Sequence, residues 1–86
     1  MDQSYSSFRE KLDQEHSFPG TYVFKFIAPS GKIDEIKRLL PPGVLSFRKS
    51  SNAKYTSVTL QAQMETSEEV VRVYLSMKDI KGVIAL

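Results

Sequence analysis

The chain contains no cysteine and a single histidine, His16. Without thiols there is no disulfide framework, no thiolate metal site and no cysteine nucleophile, which fits a reducing compartment. Long apolar runs are missing as well: no stretch approaches the ~18 residues of a membrane span. Residues 1–17 mix acidic, basic and serine residues without an apolar segment, so no secretory signal is expected and the cytoplasm is the default location. Catalytic groups are equally scarce. His16 sits beside Glu15 in a polar stretch, with neither the orienting partner nor the pocket that a general base needs. Asp34/Glu35 and Glu68/Glu69 are adjacent on helical segments and point to different sides instead of converging on a substrate. Gly31-Lys32 lacks both the preceding glycine and the following Ser/Thr of a phosphate-binding loop. No enzyme, cofactor or metal is expected.

What is present is an ordinary globular composition in a chain long enough for one core. The 86 residues are 41% hydrophobic and 26% charged, away from disordered compositions. A chain of this length buries roughly 60–65% of its unfolded surface, so its stability is modest. The net charge of +2 is unevenly spread. Between residues 25 and 54, Lys25, Lys32, Lys37, Arg38, Arg48, Lys49 and Lys54 face only Asp34 and Glu35. Such asymmetry marks either a surface for nucleic acid or an acidic partner, or a solvated face.

Hydrophobic periodicity divides the chain into seven elements. Ser7-Phe-Arg-Glu10 has the spacing of a capping box, and Tyr5, Phe8 and Leu12 recur at helical spacing, predicting a short helix over about Ser7 to Glu15. Thr21–Ala28 alternates as a strand, with Tyr22, Phe24 and Phe26 on one face and Val23, Lys25 and Ile27 on the other. Ser30 is placed to cap a helix striped by Ile33, Ile36, Leu39 and Leu40, which Pro41-Pro42-Gly43 stops. Val44–Lys49 reads as a strand with Leu45 and Phe47 on one face, and Ser50-Ser-Asn-Ala53 supplies a hairpin turn. In Tyr55–Met64, apolar Val58, Leu60, Ala62 and Met64 alternate with Tyr55, Ser57, Thr59, Gln61 and Gln63. Thr66-Ser-Glu-Glu69 is a second capping box, opening a helix striped by Val70, Val73, Tyr74 and Met77. Val83–Leu86 is a last strand.

Residues 18–86 thus follow the order strand, helix, strand, strand, helix, strand. The fold class expected is α+β: a ferredoxin-like βαββαβ sandwich, with both helices on one face of a four-stranded antiparallel sheet. Strands 21–28 and 55–64 lie in its centre. Residues 1–17 form an N-terminal helical appendage, docked or mobile.

Three stretches resemble a known family. They are Phe18-Pro19 with the aromatic strand Tyr22-Val-Phe-Lys-Phe26, the segment Ser50-Ser-Asn-Ala-Lys-Tyr-Thr-Ser-Val-Thr59, and the closing Lys78-Asp-Ile-Lys-Gly-Val-Ile-Ala-Leu86. Over roughly residues 18–86 they are similar to the YbeD-like family, small bacterial domains of unknown function. Ser-Ser-x-x-x-Tyr-x-Ser-Val is the most specific part. The family usually has a glycine in the hairpin turn where this chain has Ala53, which puts the family's turn geometry in question. The resemblance implies a ferredoxin-like fold akin to the ACT domains that regulate amino-acid metabolism, and no assigned activity.

Two surfaces are candidate sites. Pro29, Ser30 and Gly31 form a loop similar to the one at which ACT domains hold amino-acid effectors, where glycine permits close approach and free amides attract a carboxylate. The sheet face opposite the helices presents Val23, Lys25, Ile27, Tyr55, Ser57 and Thr59. RNA-recognition modules stack bases on such a face, but Tyr55 alone is available, since Ser57 stands where a second aromatic is needed. A mixed face suits a protein partner or a second copy better. The leading expectation is a small regulatory or adaptor domain that binds a protein, itself included, or a small carboxylate metabolite. The alternative is nonspecific nucleic-acid binding through Arg48, Lys49, Lys54 and Tyr55.

Overall fold

The computed structural model describes residues 3–86, with side chains from Ser6 onward. In chain order these form α1 (Gln3–Glu15), β1 (Gly20–Pro29), a 3₁₀ turn (Ser30–Lys32), α2 (Ile33–Leu39), β2 (Val44–Lys49), β3 (Tyr55–Met64), α3 (Ser67–Lys78) and β4 (Ile84–Ala85). The strands make one antiparallel sheet in the order β2-β3-β1-β4. The two long alternating strands pair along their whole length, from Gly20 opposite Met64 to Pro29 opposite Tyr55, and occupy the centre.

Period-two alternation sends Phe24, Phe26 and Ala28 of β1 and Val58, Leu60, Ala62 and Met64 of β3 to one face, where all are buried. Ile36 of α2, Val70, Val71, Val73 and Met77 of α3, and Ile80 close the core over them. Each fully buried large side chain contributes about 1.5–3 kcal/mol. α3 is fixed at its start by Thr66, whose hydroxyl accepts the Glu69 amide at 3.3 Å. The reciprocal bond of the expected capping box lands one residue earlier: Glu69 accepts the Glu65 amide at 2.9 Å.

α1 begins at Gln3, four residues before the expected start, so Ser7 and Glu10 lie within a helix instead of opening it. The expected stripe is present where side chains are described: Leu12 is buried in the common core, and the Phe8 ring meets Tyr74 edge-on at 5.4 Å. Tyr5 lies outside the described side chains. Tyr74 is the hub here, since its ring also meets Phe24 and Phe26 and its hydroxyl lies 3.2 Å from that of Tyr22. Burial first, then the bond to Tyr22 and the proximity of its charge, raise the Tyr74 phenol above its ordinary pKa of 10.0.

Two tight approaches set the sheet's rims. Gly43 passes so close to β3 that a Cβ there would collide with the Gln61 carbonyl oxygen and come within 2.8 Å of Leu60 Cδ1. Gly82, at φ 87°, turns the chain into β4 against the Pro29 ring, where a Cβ would lie 2.7 Å from Cγ.

Candidate interaction surface

The loop at Pro29–Gly31 is built differently from the expected helix cap. No side chain caps α2 or the 3₁₀ turn before it. The Ser30 hydroxyl instead donates to the Ala53 carbonyl at 2.8 Å and lies 2.9 Å from the Thr56 hydroxyl, while its amide donates to the Lys54 carbonyl at 3.0 Å. Ser30 therefore clips the β1–α2 connection onto the β2–β3 turn. Pro29 is the last residue of β1, half-buried opposite Tyr55. Gly31 is exposed, and a Cβ there would meet nothing within 4 Å.

The β2–β3 turn is held by its own side chains. Asn52 Oδ1 accepts from the Ser50 hydroxyl at 2.9 Å and from the Lys54 amide at 3.1 Å, and the Ala53 amide donates to the Ser50 carbonyl at 2.9 Å. Ala53 stands at φ 59°. The turn thus keeps a left-handed residue at the position where the resembling family has glycine.

The sheet face away from the helices brings the second set of sequence-predicted residues together. Facing pairs share a side in an antiparallel ladder, so the register builds rows across the strands. Val44, Gln61 and Val23 form one, Ser46, Thr59 and Lys25 a second, and Arg48, Ser57, Ile27 and Ile84 a third. Tyr55 and Pro29 close that end. The Leu86 amide donates to the Lys25 carbonyl at 2.9 Å, extending the second row. Val23 is 44% exposed, Tyr55 50%, Ile84 59% and Val44 68%. Lys25 and Arg48 are the charges on these rows, and neither makes an ion pair among the described residues.

Val44, Arg48 and Ile84 had not been placed on this surface from the sequence. Val44 and Arg48 follow from alternation in β2 once Leu45 and Phe47 face inward. Ile84 follows only from the pairing of β4 with β1, which has no local signal. Near Arg48 the face is dimpled by a hollow of about 370 Å³ lined by Ile27, Arg48, Lys49, Ser50, Tyr55 and Ser57. A second, of about 350 Å³, is lined by Ser46, Phe47, Arg48, Ser57 and Thr59.

Residues 13–86 match a family described as "Protein of unknown function (DUF493)". The chain belongs to that family. It is the YbeD-like family whose resemblance the hairpin and flanking strands carry. No curated protein and no solved structure matches the chain. Of the paired carboxylates Asp34, Glu35, Glu68 and Glu69, three are engaged locally: Glu35 lies 3.9 Å from Lys32, Glu68 3.2 Å from Arg72, and Glu69 accepts the Glu65 amide at 2.9 Å. His16, just past α1, meets the Tyr22 ring edge-on at 5.0 Å. Among the described residues no three His, Cys, Asp or Glu side chains come together as a metal site, and no helix is long and apolar enough to cross a membrane.

Proposed function

We propose that this protein is a non-catalytic regulatory or adaptor domain that docks a protein partner on its open sheet face. The strand order and the packing of α2 and α3 on one face support a ferredoxin-like, ACT-like reading of the fold. The observation that carries the functional reading is the face itself. Val23, Val44, Tyr55 and Ile84 stand exposed together, ringed by threonine, serine and glutamine and by Lys25 and Arg48, neither of which makes an ion pair among the described residues. Exposed apolar area of this kind, rimmed by polar groups, is what protein contacts use. The unpaired positive charge favours an acidic partner over a second copy, because a twofold contact brings the same cations, Lys25 and Arg48, from both sides. A cysteine-free chain suits the reducing cytoplasm we assign to it.

The small-carboxylate reading of the loop draws less support, since the Ser30 amide is already bonded and Gly31 stands open. Nucleic-acid binding has its cations near Tyr55 but one aromatic ring to stack on.

Photoreactive residues placed singly at Val23, Val44 and, as a control, Arg72 on the exposed side of α3 test the reading in living cells. Discrete adducts from Val23 and Val44, none from Arg72, and their loss on Lys25→Glu are expected. Adducts of twice the monomer mass would make the partner a second copy. Absence of any adduct from the sheet face overturns the proposal.

A further inference from the structure

β2 lies at the edge of the sheet, and its free backbone is specified by the hairpin. The Ser50 amide donates to the Tyr55 carbonyl at 2.8 Å, so these two residues form a hydrogen-bonded pair. The register continues without a bulge from Lys49 opposite Thr56 to Val44 opposite Gln61. Hydrogen-bonded and non-hydrogen-bonded pairs alternate along such a ladder. Arg48, Ser46 and Val44 therefore bond to β3, and Leu45, Phe47 and Lys49 turn their N–H and C=O groups outward. Among the described residues nothing accepts from or donates to these six groups.

The edge has neither proline nor a bulge, two usual means of blocking strand addition. What it has is charge. Arg48 and Lys49 stand on the strand, and Lys37 lies 4.9 Å above the Phe47 ring. None of the three has a carboxylate partner among the described residues. Pairing with a second copy would gather both sets of cations on one short seam, whereas an acidic strand would neutralise them.

Side-chain alternation then specifies the occupant. A strand added to β2 places every second side chain on the inner face beside Leu45 and Phe47, the latter 40% exposed and apolar. The intervening side chains fall on the outer face beside Arg48 and its two flanking hollows. We propose that the β2 edge binds an extended segment of a partner protein in which apolar and acidic residues alternate, added as a fifth strand. This rests on the reading of the domain as a protein-binding one, and it adds the sheet's β2 edge to that contact.

A capped peptide of about ten residues alternating valine and glutamate, titrated into the ¹⁵N-labelled full chain at low salt, tests it. The largest shifts are expected at the amides of Leu45, Phe47 and Lys49, fading as salt rises. Arg48→Glu should weaken binding by about tenfold or more, the loss of one charge-assisted contact. Lys49→Ala and Lys49→Pro remove the same charge, but only the second removes an outward N–H, at a position where an edge strand tolerates proline. Lys49→Pro should therefore bind about tenfold more weakly than Lys49→Ala, and a peptide N-methylated at alternate residues on its pairing side should not bind. No binding at low salt, equal affinity for the methylated peptide, or equal affinity of the two Lys49 variants overturns the proposal. In each case adducts from Val23 and Val44 in cells would leave the sheet-face reading standing.

Discussion

Ala53 holds a backbone conformation that suits glycine. At φ 59° its Cβ crowds the following carbonyl, a cost of about 1–2 kcal/mol. Glycine removes that cost and gives back about 0.4–1 kcal/mol through the freer unfolded chain. Ala53→Gly is therefore expected to stabilise the domain by about 0.5–1 kcal/mol, raising the melting temperature by roughly 2–8 °C. Calorimetry checks it, and a lowered melting temperature would mean that the turn does not rest in the left-handed region. The turn holds this conformation with alanine because Ser50, Asn52 and Ser30 bond it from three sides. From the sequence Ala53 signalled a departure; the side-chain bonds that neutralise it depend on the fold.

Tyr74 gives the second residue-scale consequence. Its phenol is held above pKa 10.0 by burial and by Tyr22, so the folded chain keeps a proton that the unfolded chain releases. This contribution is intact below about pH 10 and is lost as pH rises beyond it, because the unfolded state then binds fewer protons. Tyr74→Phe should flatten the alkaline decline of stability above pH 10, at the cost of about 0.5–1.5 kcal/mol at neutral pH for the lost hydroxyl bond. Urea unfolding of both proteins between pH 8 and about pH 11 distinguishes this from a tyrosine that titrates freely, for which the two limbs would be parallel.

Among the elements, legibility followed the strength of the period. β1 and β3 alternate over ten residues each, and their faces, pairing and central position were all readable. α3 carried both a stripe and a capping threonine, and its start was readable to within a residue. Weak periods failed at their boundaries. Ser7 and Glu10 have capping spacing, yet the helix runs through them from Gln3. A serine and a glutamate three apart do not stop a helix that neighbouring residues already propagate. Ser30 had the right position for a cap, but its hydroxyl found partners 23 and 26 residues away. Local rules have no access to such partners. The candidate surface divides likewise: Val23, Lys25 and Ile27 came from alternation, whereas Ile84 became a neighbour of Ile27 only through pairing at the sheet's far edge.

For the whole molecule, the inner and outer sides of the sheet are energetically separate. α1 and α3 pack on the inner side, where Leu12 joins the core and covers the cluster around Tyr74. Leu12→Ala should destabilise the domain by about 2–5 kcal/mol, the usual cost of emptying a buried leucine site. A small domain has little more than that to lose. Adducts formed from Val44 should nevertheless persist wherever the variant remains folded, because Phe8 and Leu12 of α1 pack on the inner side, away from Val44. Loss of those adducts in a folded Leu12 variant would tie the partner to the helices instead.

The bonds made by Ser30 join two rims that the sequence presents as unrelated: the turn holding Gly31 and the hairpin that orders Lys49, Ser50 and Tyr55. A clip shared between two loops transmits a load in both directions. A molecule that stiffens the hairpin would restrain the turn at Gly31 as well, and linkage would make that effect equal in both directions. A hydroxyl group at one residue thus makes the two rims a single lever, and a perturbation of either is felt at both.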